Sequence, residues 1–237
     1  MKTFSISEKG LVRDMNQDRC CIERQESGAI LLAVADGVGG SFGGEYAAQK
    51  AIETIKTFQF NGFSNNLEEK LGRLIKRAHN VICETAGRIK KFKGMGSTIA
   101  LAYVEKDKIT WAYLGDTRIY VFRKGKLNAL TRDHTIPGLL LKEGELTREE
   151  ARLHPMSHGI LKCLGGADAK PDVGHCRLET HDIVFACSDG LHGLIPEKDM
   201  QLIINNENNP DKMAKRLVDA AMDAGGTDNI TITGVRL

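Results

Sequence analysis

Four aspartates stand where apolar segments meet glycine or a small polar residue. They are Asp36 in Asp-Gly-Val-Gly-Gly, Asp116 in Gly-Asp-Thr-Arg, Asp189 in Ser-Asp-Gly and Asp228 in Gly-Gly-Thr-Asp-Asn. A carboxylate delivered by a buried segment into a tight turn is costly unless a cation or hydrogen bonds satisfy it. One such end is an ordinary Asp-Gly turn, and Asp36 read alone allows that. Repetition of the pattern points instead to strand ends that converge on one cation site. Hard divalent ions take oxygen ligands, and two of them can share a bridging carboxylate. Upstream, Gly10–Asp18 is a polar linker containing Arg13. Arg13 reads either as a surface side chain or as an anion clamp, since a guanidinium can hold two phosphoryl oxygens at once.

The elements that must position these groups follow from periodicity. Ala29–Ala35 runs apolar without a charge and reads as a strand buried on both faces, and Ile183–Ala186 has the same character. Phe4–Glu8, Cys20–Arg24, Ile99–Val104, Ile109–Leu114, Arg118–Phe122, Leu127–Leu130, Val173–Leu178 and Ile230–Val235 read as further short strands. Tight turns such as Lys106-Asp107-Lys108 and Lys124-Gly125-Lys126 join several of them, which argues for antiparallel sheets rather than βαβ units. Apolar stripes at helical spacing predict helices over Glu45–Phe58, Leu67–Ile89 and Asp211–Ala224, with a shorter one beginning at Pro196. Gly62–Asn66 reads as a connector with cap residues. Between Pro137 and Gly166 strand periodicity is lost; Thr147–Leu153 is a short helix with a Thr147/Glu150 capping box, and the stretch reads as a mobile flap. His154 and His158 lie within it, separated by Pro155, and read as loop packing rather than a helical metal pair.

Bulk properties narrow the function classes. Lys and Arg total 33 against 31 Asp and Glu, a net +2 that argues against nucleic-acid binding through bulk charge. No apolar run reaches membrane-spanning length, and charges follow Met1–Phe4 where a signal peptide would need an apolar core, so a cytoplasmic protein with no membrane insertion is expected. The six cysteines, at positions 20, 21, 83, 163, 176 and 187, form no C-x-x-C pair and read as reduced structural thiols. Carboxylate donors suit Mg or Mn better than zinc. The Asp36 motif lacks dinucleotide-binding spacing, and no Walker-type lysine motif occurs. No cysteine opens a C-x5-R loop.

Taken in order, R13-D-M-N-Q-D18, D36-G-V-G-G40, M95-G-S-T98, G115-D-T-R118, T131-R-D-H134, S188-D-G190 and T227-D-N229 resemble the metal-dependent serine/threonine protein phosphatase family (protein phosphatase type 2C), its compact bacterial members in particular. The resemblance covers essentially the whole chain. It implies an α+β, four-layer αββα sandwich in which two central antiparallel β-sheets are flanked by helices, residues 1–237 forming a single catalytic domain with a flap at about 137–166. It also implies hydrolysis of phosphoserine and phosphothreonine by a water activated at a dinuclear Mn2+ or Mg2+ centre. Asp36 would bridge the two ions, the Gly37 carbonyl would add an oxygen to one of them, Asp189 and Asp228 would complete the first ion's protein ligands, and Asp18 would be an acidic partner at the metals, through water. Asp116 would join Asp189 at a third, weaker position. Arg13, Asp36 and Asp228 are the expected catalytic residues, with Asn229 orienting Asp228 or its neighbouring backbone. Some relatives carry histidine as a general acid where this chain has Val38, which cannot donate a proton. His134 is a candidate substitute, although a structural histidine beside Asp133 is the plainer reading. Expected partners are phosphorylated proteins, with a cognate Ser/Thr kinase or its targets among them, and a monomer is expected. The competing functions are a non-catalytic phosphoprotein-binding module of the same fold and a small-molecule phosphomonoesterase.

Overall fold

The structure, a computed structural model, describes residues 1–38, 40–57 and 66–237. Its strands are β1 (Lys2–Glu8), β2 (Arg19–Arg24), β3 (Ile30–Ala35), β4 (Gly37–Val38), β5 (Gly96–Ser97), β6 (Ile99–Glu105), β7 (Lys108–Leu114), β8 (Arg118–Arg123), β9 (Lys126–Ala129), β10 (Asp172–Arg177), β11 (Ile183–Cys187) and β12 (Ile230–Arg236). Its helices are α1 (Gly40–Lys56), α2 (Leu67–Arg88), α3 (Ile136–Glu143), α4 (Arg148–Arg152), α5 (Asp189–His192), α6 (Glu197–Asn205) and α7 (Pro210–Asp223). One antiparallel sheet has the order β1-β12-β11-β8-β9 and the other β10-β7-β6-β3-β2, while β4 and β5 form a small ribbon. The expected Gly62–Asn65 connector, the helix end at Phe58 and Gly39 of the glycine run lie outside the described residues.

Alternation along the two most apolar strands produces the layers. In β3, Ile30, Leu32 and Val34 face the opposite sheet and meet Val184 and Ala186 of β11, whereas Leu31, Ala33 and Ala35 face the helical layer with Leu71, Leu74 and Ile75 of α2. In β11, Phe185 and Cys187 turn the other way, toward Met213 and Leu217 of α7. Each strand is therefore buried on both sides, which is why neither shows a polar face. Each fully buried Leu, Ile or Val in these layers contributes about 1.5–3 kcal/mol. The result is the expected αββα sandwich. Among the described residues no helix is long and apolar enough to cross a membrane, and all six cysteines are free thiols.

Two local readings change. The glycine run after Val38 does not remain a turn up to Gly44: α1 starts at Gly40, and its glycines let the helix lie directly on the strand end. A Cβ on Gly37 would stand 2.3 Å from the Gly44 carbonyl carbon, so only a glycine pair permits that approach. Between Pro137 and Gly166 there are two helices rather than one. Thr135 caps α3, Pro137 sits in its first turn and Gly144 closes it in a left-handed conformation. That proline-first, glycine-last signature was legible in the sequence.

Candidate metal centre

Asp36 leaves β3 and is held through its backbone. Its carbonyl accepts from the Thr98 amide at 2.8 Å and the Ser97 hydroxyl at 2.9 Å, and its amide donates to Thr98 Oγ1 at 3.1 Å. The Met-Gly-Ser-Thr motif is therefore the cradle of Asp36. Gly37 and Val38 pair with Ser97 and Gly96.

Asp189 opens α5 directly after β11. The Ser188 hydroxyl donates to Asp18 Oδ2 at 2.7 Å and accepts the Thr231 amide at 3.0 Å, which fixes the buried Asp18 against β12. Asn229 ties the Gly10–Asp18 linker into the same place. Its side-chain oxygen accepts the Gln17 amide at 2.8 Å, and its side-chain nitrogen donates to the carbonyls of Lys9 and Met15 at 2.7 and 2.9 Å. Its own amide donates to Asp228 Oδ1 at 2.8 Å. The linker thus presents Arg13, whose Nη2 lies 2.6 Å from Asp228 Oδ2 on an exposed rim. Asn229 orients Asp228 through its backbone and the linker through its side chain; only the first was expected.

Asp116 is set by two motifs that act as one clamp. Arg118 grips Asp133 with two hydrogen bonds of 2.8 and 2.7 Å. Burial pushes Asp133 up, but the Arg118 charge outweighs it and holds this carboxyl below its ordinary value. His134 Nδ1 accepts the Gly115 amide at 3.0 Å while its ring stacks on Tyr113, contacts that fix the imidazole beside the clamp. The buried His192 ring lies 3.0 Å from the Asp116 carbonyl, and burial together with the Arg118 charge lowers it to about 4, keeping it a neutral donor. Arg118→Ala would strand Asp133 and is expected to cost about 3–5 kcal/mol of stability, measured by urea unfolding; a loss within error of zero contradicts the clamp.

The acidic residues now share one neighbourhood. Loss of water around Asp36 raises its carboxyl well above the ordinary value, and the charges of Asp18, Asp189, Asp116 and Asp228 add to this. Asp189 is held below the ordinary carboxylate value, against burial, chiefly by the His158 ring 3.3 Å from its Oδ2. Burial pushes Asp18 to about 7 against the hydrogen bonds of Ser188 and Thr231, and Asp116 is raised by burial and the Asp189 charge. Among the described residues no three His, Cys, Asp or Glu side chains close on one point as a finished cage. The donor set nevertheless fits divalent cations. Asp18 Oδ1, Asp116 Oδ1 and Asp189 Oδ1 are buried oxygens without a hydrogen-bond partner, and oxygen-only donors of like charge are what Mg2+ and Mn2+ take.

A pH dependence follows. A carboxyl whose pKa is raised by folding stabilises the fold while protonated and loses that contribution as pH rises through its folded value; for Asp18 the window runs from 3.8 to about 7. His192, lowered by folding, contributes stability above 6.5 that is lost as pH falls toward about 4. Above pH 6.5 the raised carboxyls lose their contribution, and His158, raised by its bond to Asp189, loses its own in the same direction, so the metal-free chain should melt lower at pH 8 than at pH 6.5, with Mn2+ raising the Tm more at pH 8. An equal Tm at both pH values, with and without Mn2+, contradicts this electrostatic account.

The 137–166 segment reaches the centre. His158 is not packed within its loop as expected: its exposed ring puts Nδ1 3.3 Å from Asp189 Oδ2, because the turn after Pro155 faces α5 rather than the segment's own interior. His154 does pack locally, accepting the Met156 amide at 3.1 Å. Arg152 Nη1 donates to the Gly193 carbonyl at 2.8 Å, and Arg148 pairs with Glu197 at 3.0 Å. Between this segment, α5–α6 and the aspartates lies a cavity of about 670 Å3. The seven expected site residues, Arg13, Asp18, Asp36, Gly37, Asp116, Asp189 and Asp228, all belong to this end of the sandwich. Sequence reasoning missed Ser188 and the Arg118–Asp133 clamp as supports, although both lie within the motifs that were singled out.

The model of a family described as protein phosphatase 2C matches residues 12–223. The serine/threonine protein phosphatase PstP of Mycobacterium tuberculosis is 31% identical over 228 residues, covering 95% of this chain; the chain spans only 43% of that relative's length. Among solved structures, the Streptococcus agalactiae serine/threonine phosphatase aligns with a TM-score of 0.90 at 31% identity, covering 98% of each chain. The catalytic domain of PstP in complex with two manganese ions aligns with a TM-score of 0.86 at 28% identity, covering 98% of this chain and 96% of that one.

Proposed function

The chain belongs to the protein phosphatase 2C family, and from that premise we propose that it hydrolyses phosphoserine and phosphothreonine in proteins with the help of Mn2+ or Mg2+. The observation that carries this is the gathering of Asp36, Asp189 and Asp228, with their unsatisfied neighbours Asp18 and Asp116, beneath Arg13. The manganese-bound relative supports the choice of cation.

Asp36, Asp189 and Asp228, with the Gly37 carbonyl, would hold two ions, and Asp116 with Asp189 a third. When bound, such ions supply Lewis-acid chemistry, lowering the pKa of water toward neutrality and offsetting phosphoryl charge. Arg13 meets the phosphoryl group at the rim, where its planar donors can hold two oxygens and stabilise charge as the ester bond breaks. Asp18, its Oδ1 without a partner, accepts hydrogen bonds from attacking water and orients it. Ser188 and Asn229 hold Asp18 and the Arg13 linker still, and the glycines beside the aspartates keep side chains out of the phosphoryl position. No side-chain nucleophile is needed. Residues 1–237 act as one catalytic domain with 137–166 as its flap, a monomer in the cytoplasm acting on phosphoproteins made by a Ser/Thr kinase.

With a phosphothreonine peptide, turnover should require Mn2+ or Mg2+, stop with chelator and return on adding the ion. Full turnover in excess chelator would overturn the proposal, as would metal-free binding of the peptide without turnover under any ion. Turnover of phosphorylated metabolites alone would favour a small-molecule phosphomonoesterase. Arg13→Ala should lower kcat/KM about 10- to 100-fold; unchanged kinetics would remove its role.

A further inference from the structure

The cavity beside the aspartates is divided by charge. One part of its wall is Asp116, Asp189 and Asp228, the cation-holding groups of the proposed phosphatase. The remainder is built from the flap, α6 and the loop before α3, and three of its arginines already have an opposite charge. Arg118 is paired with Asp133, Arg148 with Glu197 and Arg152 with Glu149. Lys198, in α6, makes no ion pair among the described residues, but it faces Glu149, whose carboxyl Arg152 already holds.

Arg132 and Lys142 differ. Both line the same cavity and both are exposed, yet neither makes an ion pair among the described residues. Arg132 is also fixed in place. Its amide donates to the Tyr113 hydroxyl at 3.1 Å, and the next residue is Asp133, locked by Arg118. Its Cα is thereby held relative to Asp116, and Lys142 stands in the last turn of capped α3. Two unspent cations on a fixed frame, opening into the space that receives the scissile phosphoryl group, are complementary to a second negative charge on the same molecule.

We propose that Arg132 and Lys142 form a subsite for a second anionic side chain of the substrate polypeptide, a carboxylate or a second phosphoryl group, seated in the flap part of the cavity. The inference rests on the phosphatase reading and adds a substrate preference to it: phosphothreonine or phosphoserine within an acidic or doubly phosphorylated segment. A phosphoryl group, with three acceptor oxygens and close to two charges, should be held more strongly than a carboxylate.

The test uses the full chain with saturating Mn2+ and four sets of phosphothreonine peptides, carrying alanine, glutamate, lysine or a second phosphothreonine at each of the four positions on either side. The expected result is a kcat/KM about tenfold higher for at least one position carrying the second anion, expressed mainly in KM. In Arg132→Ala/Lys142→Ala that preference should fall toward one. In Arg132→Glu/Lys142→Glu it should invert toward peptides carrying lysine at that position, a gain that a misfolded protein cannot show. Preference for glutamate and phosphothreonine together identifies a general anion subsite, and preference for phosphothreonine alone identifies a phosphoryl subsite; both support the proposal. Turnover of all peptides with equal kcat/KM, or a preference that survives charge reversal, overturns the subsite and leaves the phosphatase reading standing. Absence of turnover on every peptide overturns both.

Discussion

Asp36→Asn is expected to reduce kcat/KM on a phosphothreonine peptide about a thousandfold or more, because it removes the charge of the carboxylate proposed to hold both ions. The same substitution should raise the Tm of the metal-free protein at pH 8. Folding penalises the Asp36 charge through lost water and four neighbouring carboxylates, whereas an amide carries no charge. The Tm increment given by Mn2+ should shrink at the same time. A purely structural Asp36 would behave otherwise: its loss would lower stability with or without the ion. Activity within tenfold of the native chain, or a metal-free Tm that falls, would contradict the assignment.

Gly190→Ala is expected to have the largest effect on stability of any single methyl group near the centre. Gly190 lies in α5 directly after Asp189, and a Cβ there would stand 2.0 Å from the Asn229 carbonyl oxygen and 2.9 Å from its carbon. Both are backbone atoms, so no flexible side chain can yield. Overpacking of this kind costs about 1–3 kcal/mol and occasionally more. For a chain of this size about 3 kcal/mol corresponds to a Tm drop of roughly 6–12 °C. Relief by backbone movement would separate Asp189 from Asp228, so Mn2+ affinity should fall with stability. Gly28→Ala is the control: its φ of +82° imposes strain, but nothing lies within 4 Å of the added methyl. Equal Tm values for the two variants would contradict the packing argument.

Much of this arrangement was legible because its physics is local. β3 and β11 have no polar face since each is buried between a sheet and a helical layer, and the resulting apolar runs ending at Asp36 and near Asp189 can be read without coordinates. The stripe Leu71, Leu74, Ile75, Ala78 and Ile82 likewise predicted α2 almost to the residue. What escaped depends on contacts between distant parts of the chain. Nothing within Ser-Asp-Gly indicates that the Ser188 hydroxyl holds a carboxyl 170 residues away. Arg118 and Asp133 sit in separate motifs and become one device only when β8 lies beside the loop leading into α3. His158 was misread because its neighbours Pro155 and Gly159 suggest a self-contained loop, whereas its partner is Asp189 on another element. The start of α1 was missed because three glycines among its first five residues oppose helix on propensity, and tertiary contact with Gly37 overrides that preference.

The most direct test of the central claim is a crystal structure of the full chain grown with Mn2+, with the ions located by anomalous scattering. Two peaks should lie at coordination distance from carboxylate oxygens, one shared through Asp36 and one also touching Asp189 and Asp228, with Arg13 released from Asp228 toward an anion. Anomalous peaks absent from this end of the sandwich at saturating Mn2+, or bound without Asp36, would contradict it.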